Sequence, residues 1–265
     1  MKIIGEKING TRKRVAQAIA ERDAEFIKDL AQRQAEAGST WLDVNAGTHP
    51  EKEPGDLVWL IENTQSVVDT PLSLDSANPK SLEIAIKAVD KTPLINSISG
   101  EPERLEKILP LVAEHNCEVI ALAMDEKKIP ETFEKRMEVI DKVLVATRAA
   151  GVLDDKVYVD PLAMTIATMN QSAVIACDTI RAVREKYPEV HLTMGLSNIS
   201  FGLPSRKQVN RGLLILAMQA GLDSAILDPL DKELQAAIIT TELLLGKDKH
   251  CLNYLKASRR GLFDQ

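Results

Sequence analysis

The sequence lacks the cysteine and histidine spacings of disulfide frameworks and metal sites. Its three cysteines, Cys117, Cys177 and Cys251, form no CxxC pair, which excludes a zinc ribbon and favours reduced thiols. Of the four histidines, none is paired at metal-ligand spacing with another histidine or cysteine, apart from His250, which adjoins Cys251. Adjacent residues seldom bind one ion, and we therefore expect no catalytic metal.

A basic surface and a long apolar run are also missing. The net charge is −6 and there is no basic stripe, which argues against nucleic acid as a partner. A bilayer-spanning helix needs about 20 apolar residues, whereas the longest apolar candidate, 212–220, is short and contains Gln219. The N-terminus shows no signal-peptide pattern. The sequence thus predicts a cytoplasmic protein with no membrane association.

The chain does contain a repeated design, in which a short apolar segment ends in an aspartate or asparagine. The segments that share it are WLDVN (41–45), LSLDS (72–76), LINS (94–97), VYVDP (157–161) and, later in the chain, MGLSNIS (194–200). If each segment is a strand, the polar residues lie at the same end of every strand. In a parallel barrel these ends converge on the face that carries the active site.

Segments with helical periodicity separate the predicted strands, which favours parallel βα units. Strands are expected to begin near residues 2, 41, 72, 94, 119, 157, 191 and 224. Helices are expected to cover 14–37, 103–115, 131–150 and a segment that starts at Asn78-Pro79. Eight units within 265 residues predict one domain, 1–265, with the α/β class (β/α)8 TIM-barrel fold. A doubly wound open sheet is the alternative.

The strand-end residues have two interpretations. One is that each caps the following helix, which suits Asn78 but not Asp160, because Pro161 disfavours helical geometry at the residue before it. The other is that they share one binding site. Carboxylates and amides together match the in-plane donors and acceptors of a flat heterocycle. Asp75, Asn96 and Asp160 therefore favour a pterin or a similar ring as the ligand.

Five ordered motifs resemble those of one enzyme family in sequence and spacing: IIGEKIN (3–9), LDS (74–76), INS (95–97), VDP (159–161) and GLSN (195–198). The family is the pterin-binding, corrinoid-dependent methyltransferases, which move a methyl group between N5 of tetrahydrofolate and the cobalt of a corrinoid. The chain is most similar to the free-standing methyltetrahydrofolate:corrinoid protein methyltransferases. SNISFGL (197–203) also resembles the folate domain of cobalamin-dependent methionine synthase. The resemblance covers essentially the whole chain.

The resemblance implies roles for individual residues, with tetrahydrofolate or its 5-methyl form as the substrate. It assigns the pterin ring to Asp75, Asn96 and Asp160. It assigns the hydrogen bond to N5 to Asn198, whose amide is able to donate or accept. It also places Arg206 near the folate.

Proton delivery is a separate hypothesis. The methyl group leaves N5 only when that nitrogen is electron-poor, normally because it is protonated. We hypothesise that Asp43, Asp75 and Asn96 organise water that delivers the proton, while Asn198 stabilises the protonated N5. For Asp43, a structural hydrogen bond across the barrel mouth is an equal alternative.

The resemblance also implies a corrinoid carried by another protein. A resident cobalamin domain would show D-x-H-x-x-G, whereas DKHCLN (248–253) lacks the glycine. We therefore expect a separate corrinoid protein that docks over the barrel mouth, near Met124 and the loop 198–206. Core filling is the alternative role for Met124. The free-standing members of the family further imply a homodimer.

Two other functions and the direction of transfer stay open. A dihydropteroate synthase would need a lysine near the seventh strand and a late Ser-x-Arg/His, where this chain has Ser197-Asn198 and Asp228-Pro229. A non-catalytic folate-binding or corrinoid-docking protein is the second alternative. Direction is open because the family includes enzymes that consume methyltetrahydrofolate and enzymes that receive methyl groups from demethylase systems. Phe201 replaces the glutamine of acetogen-type relatives, which leaves the folate-tail contacts open as well.

Overall fold

Eight parallel strands form the centre of the molecule within the residues that the computed structural model describes, 1–126 and 128–264. In chain order they are β1 (Lys2–Asn9), β2 (Trp41–Asn45), β3 (Leu72–Asp75), β4 (Leu94–Ser99), β5 (Glu118–Leu122), β6 (Val157–Asp160), β7 (His191–Leu192) and β8 (Ser224–Leu227). Their order in the sheet is β7-β6-β5-β4-β3-β2-β1-β8. Strands that follow one another in the chain are therefore neighbours in the sheet, as the βα alternation predicts.

The sheet closes on itself between β7 and β8. The Ile226 amide donates to the carbonyl of Met194 at 2.9 Å, and Gly195 forms a parallel bridge with Ile226. The Ser224 hydroxyl adds a hydrogen bond to the carbonyl of Leu192 at 3.0 Å. A doubly wound open sheet would leave these two strands as separate edges, so closure confirms the predicted barrel.

A layer of helices surrounds the barrel: α1 (Lys13–Glu21), α2 (Ala24–Glu36), α3 (Glu53–Gln65), α4 (Pro79–Ile86), α5 (Pro102–Lys107), α6 (Leu109–Glu114), α7 (Phe133–Ala149), α8 (Ser172–Lys186), α9 (Arg206–Ala220), α10 (Lys232–Leu244) and α11 (Leu252–Arg259). The Asn78 side chain caps α4 by accepting from the Lys80 amide at 3.1 Å, which confirms the predicted helix start. Across 1–126 and 128–264, none of these helices combines the length and apolarity that a membrane crossing requires.

Two predicted helices are each divided in the structure. The single helix expected over 14–37 is wrong, because Arg22 adopts left-handed φ and Asp23 begins α2 by accepting from the Phe26 amide at 3.2 Å. The helix expected over 103–115 ends at Lys107 and restarts at Leu109. Pro110 has no amide hydrogen to continue the hydrogen-bond ladder, which explains the second break.

A strand begins near residue 191 as expected, but the prediction that 194–200 is a strand is wrong. Strand β7 ends at Leu192, and Leu196–Ser200 forms a 3₁₀ turn. Within this turn the backbone amide of Asn198 donates to the backbone carbonyl of Gly195 at 3.3 Å. Asn198 is therefore presented by a tight turn above the strand end.

A small aromatic cluster fills the barrel toward the N-terminal ends of the strands. Tyr158 meets Trp41 edge to face, with ring centroids 5.5 Å apart, and stacks on His191 at 4.6 Å. Its hydroxyl donates to Glu118 at 3.2 Å and accepts from the Lys2 ammonium. Burial raises the pKa of Tyr158, so the phenol stays neutral.

Tyr158→Phe is expected to lower the free energy of unfolding by about 1–2 kcal/mol, because a buried hydrogen bond to a carboxylate is lost. Urea denaturation measures this change. Tyr254→Phe is the matched control, because the Tyr254 ring stacks on Phe263 at 4.7 Å while its hydroxyl has no hydrogen bond within the described residues. Equal stability of the two variants would contradict a role for the Tyr158 hydroxyl.

Candidate active site

The polar strand ends meet at the carboxyl end of the barrel, as predicted. The Asp43 carboxylate on β2 accepts from the Ser73 hydroxyl at 2.7 Å and from the Asn96 amide at 3.2 Å. Asn96 lies on β4, and β3 separates it from β2. A contact that crosses an intervening strand places both side chains on the inner face of the barrel. The structural hydrogen bond considered for Asp43 is therefore present.

A second carboxylate lies beside the first. Asp75 ends β3, pairs in register with Asn96, and accepts from the Asn45 amide at 2.8 Å. Burial raises the pKa of Asp43 well above its usual range, and the charge of Asp75 raises it further. Burial also raises the pKa of Asp75. The two carboxyl groups are thus suited to holding a proton under conditions that ionise exposed aspartates.

Asp160 ends β6 and is held by two backbone donors. One carboxylate oxygen accepts from the Leu162 amide at 2.7 Å and the other from the Gly195 amide at 3.2 Å. Burial nevertheless raises the pKa of Asp160 to about 6, because desolvation outweighs these hydrogen bonds. Asp160 is therefore an ionised, buried acceptor at neutral pH.

Asn198 connects to this carboxylate through Gly195. The Gly195 amide donates to Asp160, and a Cβ at position 195 would lie 2.9 Å from the amide nitrogen of Asn198. Any larger residue at this position would therefore displace the Asn198 side-chain amide from its present place. The Asn198 side chain is exposed and has no hydrogen bond within the part of the chain that the structure describes, so its amide is free to bind a ligand.

Arg206 braces the turn that presents Asn198. Its guanidinium donates to the carbonyl of Ser197 at 2.7 Å and to the hydroxyl of Ser200 at 3.0 Å, on either side of Asn198. It also lies over the Phe201 ring, 5.9 Å from the centroid. The Phe201 side chain is 69% exposed at the rim of the barrel. Arg206 thus contacts the turn directly. Its place near the folate, which the resemblance implies, stays a prediction.

Met124 lies beyond the end of β5 and is half-buried. Its carbonyl accepts from the Gly100 amide at 2.8 Å, which ties this loop to the one that follows β4. Lys142 contacts the same pair of loops, donating to Asp125 at 2.7 Å and to the carbonyl of Gly100 at 2.7 Å. Met124 therefore belongs to a pair of connected loops at the carboxyl ends of β4 and β5.

The sequence reasoning missed charged residues next to this site. Glu6 pairs with Arg12 at 2.7 Å, and Lys7 pairs with Asp228 at 2.6 Å. A cavity of about 210 Å³ is lined by Glu6, Arg12 and Asp228 together with Ser197 from the turn. Burial raises the pKa of Glu6. The signal was available, because Glu6 and Lys7 belong to the GEKIN motif.

The candidate D-x-H segment has a structural explanation. The Asp248 carboxylate accepts from the amides of Asn253 and Tyr254, at 3.0 and 2.9 Å, and so caps α11. Within residues 1–126 and 128–264, no group of three or more His, Cys, Asp or Glu side chains is arranged to hold a metal ion.

Comparison with known proteins identifies the family. The sequence profile described as "Pterin binding enzyme" matches residues 5–228. The chain belongs to the pterin binding enzyme family. The resemblance drawn from the ordered strand-end motifs is thereby confirmed.

The chain is also similar in sequence to named enzymes. The chain is 41% identical over 263 residues to a protein of Eubacterium limosum named methylcorrinoid:tetrahydrofolate methyltransferase, covering 98% of this chain and 97% of that one. It is 33% identical over 237 residues to methionine synthase of Mycobacterium leprae (strain TN). That match covers 84% of this chain but only 20% of the methionine synthase.

Solved structures confirm the fold. Dihydropteroate synthase from Xanthomonas albilineans, solved with 4-aminobenzoic acid, superimposes with a TM-score of 0.69 at 19% identity, covering 94% of this chain and 93% of that one. DHPS from Yersinia pestis, solved with a pterine-sulfa conjugate, gives a TM-score of 0.67 at 18% identity, with 92% and 93% covered. At this identity the likeness concerns the barrel and not the reaction.

Proposed function

We propose that this chain is a methyltransferase that moves a methyl group between N5 of tetrahydrofolate and the cobalt of a corrinoid carried by a partner protein. The observation that carries the proposal is the 41% identity, over almost the full length of both chains, to a protein named for this reaction. That name has the methylcorrinoid as donor, which supports transfer toward tetrahydrofolate. The chemistry itself is reversible, and the partners set its direction.

The pterin is proposed to bind across the barrel mouth to Asp75, Asn96 and Asp160. Its pyrimidine half presents N–H donors and ring acceptors in one plane. Asp75 and Asn96 each retain a side-chain oxygen without a hydrogen bond in the described part of the chain, next to the amide donors of Asn45 and Asn96. Both side chains are only half-buried, so these oxygens are accessible to a donor-rich ring that enters the mouth. The residues present thus fit a pterin.

The chain's own residues are proposed to control the proton on N5. Bound corrinoid supplies the cobalt that gives or takes the methyl group. Asn198 donates to unprotonated N5 or accepts from protonated N5, since its amide reorients between the two. Asp43 and Asp75, with Asn96, hold the proton that N5 gains or loses through ordered water. Burial raises the pKa of both carboxyl groups, which favours the protonated form that a proton donor needs.

The corrinoid protein is proposed to dock over the same mouth. Met124 and the turn with Phe201 and Arg206 form exposed or half-exposed parts of its rim. We further propose that residues 1–265 act as one domain, as a homodimer in the cytoplasm.

Two alternatives carry different expectations at the site. A dihydropteroate synthase would need a cationic diphosphate site, but here Asp228 pairs with Lys7 and Asp231 with Lys207 at 3.1 Å, so these cations are already neutralised. A non-catalytic folate-binding or corrinoid-docking protein would have no use for an Asn198 side chain that makes no hydrogen bond within the described residues, beside two carboxyl groups of raised pKa. Both alternatives predict no methyl transfer.

Two anaerobic mixtures test the proposal. The protein is added to methylcobalamin with tetrahydrofolate, and separately to cob(I)alamin with 5-methyltetrahydrofolate, while cobalamin absorbance is followed. Conversion in both mixtures is expected. Condensation of a pterin diphosphate with 4-aminobenzoate would instead support a synthase, and folate binding without transfer to free cobalamin or to a corrinoid protein would support the non-catalytic alternative.

A further inference from the structure

Arg136, on α7, is fully buried although it carries a permanent charge. Its guanidinium donates to three main-chain carbonyls, those of Pro130 at 2.9 Å, Pro161 at 2.7 Å and Leu162 at 2.6 Å. Its Nη2 is buried without a hydrogen-bond partner, and no carboxylate pairs with it within 4.0 Å among the described residues. A buried cation with this environment is costly unless something compensates the charge.

Asp160 is placed to provide that compensation. The Leu162 amide donates to Asp160 while the Leu162 carbonyl accepts from Arg136, so the two side chains hold the same residue from opposite sides. Leu162 has a φ of 61°, which is rare for a bulky residue. Both charged groups hydrogen-bond to the main chain of Leu162 and so stabilise this conformation.

The charges of the two residues also affect each other. The Arg136 charge lowers the pKa of Asp160 against the effect of burial, and the Asp160 charge raises the pKa of Arg136 against its own burial. The other groups that lower the pKa of Asp160 are the amides of Leu162 and Gly195. Arg136 is thus the one cation among the groups that stabilise this carboxylate within residues 1–126 and 128–264.

We propose that Arg136 is a positioning residue, which fixes Asp160 for pterin binding from the helical layer and supplies the charge that keeps this carboxylate ionised. The inference rests on the proposed pterin site. Arg136 acts through Asp160 and does not itself contact the ligand. Its sequence position, inside an amphipathic helix, gave no signal of this role.

The test is the pH dependence of the 5-methyltetrahydrofolate dissociation constant, measured by calorimetry from pH 5.5 to 8.5. The ligand requires the ionised carboxylate, so binding weakens as pH falls through the pKa of Asp160, which is about 6. In Arg136→Gln the midpoint is expected to rise by about one pH unit. At pH 6.5 the ionised fraction then falls from about three quarters to one quarter, a loss in affinity of about threefold. Arg136→Lys retains the charge and is expected to keep the original midpoint.

Arg184→Gln is the matched control. Arg184 also braces main-chain carbonyls, those of Val190 at 2.9 Å and Gly221 at 3.1 Å, but at the opposite end of the barrel. The Arg184→Gln variant is expected to be less stable, with no shift in the pH midpoint of 5-methyltetrahydrofolate binding. Because Asp43 and Asp75 titrate in the same mouth, the shift should also vanish when Arg136→Gln is combined with Asp160→Asn.

Several outcomes would overturn the inference. An unchanged midpoint in Arg136→Gln, or a weakening that is uniform across pH, would reduce Arg136 to a structural residue. If Arg136→Gln does not fold, Arg136→Lys carries the test, and a midpoint raised as far as one unit in that variant would contradict the charge effect. Failure of the wild-type protein to bind 5-methyltetrahydrofolate at any pH would instead defeat the proposed function.

Discussion

Asn198→Ala is expected to slow methyl transfer by about 10²–10³-fold, the usual effect of removing one preorganised hydrogen bond to a reacting centre. The amide has no partner of its own in the described structure, and Asp160 fixes the Gly195 backbone beneath it. Its only proposed partner is N5, whose charge changes as the methyl group arrives or leaves. The measurement is single-turnover transfer, followed by cobalamin absorbance with saturating folate.

This variant separates a catalytic role from a structural one. The Asn198 side chain is exposed and makes no hydrogen bond within the described residues, so its removal should change the free energy of unfolding by less than about 0.5 kcal/mol. Arg206→Lys is the companion variant, because it loosens the turn that presents Asn198 while retaining the Asn198 side chain. Turnover at the wild-type rate in Asn198→Ala would remove this residue from the mechanism.

Much of the barrel and part of its mouth could be predicted because strand ends carry a strong local signal. Apolar residues followed by Asp75 or Asn96 mark both the strand and the face it ends on, since parallel strands share one direction. The breaks near Arg22 and Pro110 were not predicted, because the apolar periodicity on either side of each break favours one continuous helix. Local sequence therefore predicted where the strands and helices lie better than whether a helix is interrupted.

The remaining features depend on contacts between distant parts of the chain. Arg136 is one of several arginines in amphipathic helices, and only the fold brings it to the Leu162 carbonyl beside Asp160. The turn that presents Asn198 is likewise fixed by Arg206, which lies eight positions later, and by the Ile166 amide, which donates to the carbonyl of Ile199 at 2.9 Å. Periodicity contains no information on such contacts. The sequence therefore predicts which strand-end residues meet at the mouth, but not the residues that hold them in place.

Asp160→Asn is expected to weaken folate binding by about tenfold to a hundredfold, which corresponds to the loss of hydrogen bonds to a charged group. Each oxygen of the Asp160 carboxylate accepts from a backbone amide, of Leu162 or of Gly195. An asparagine would direct its NH₂ group against one of these donors. The variant therefore loses both the negative charge and one of the two backbone hydrogen bonds that hold the side chain.

The dissociation constants of both folate forms, measured at pH 7.5, test this expectation. Asp248→Asn is a close chemical control, because Asp248 is also buried and accepts from two backbone amides, those of Asn253 and Tyr254, but it precedes α11 and is not one of the strand-end residues. Both variants should lose stability, while only Asp160→Asn should lose affinity and the decline in binding near pH 6 that follows from the raised pKa of Asp160. An unchanged dissociation constant in Asp160→Asn would exclude this carboxylate from the pterin site, because a ligand that contacts it has to respond to the loss of its charge.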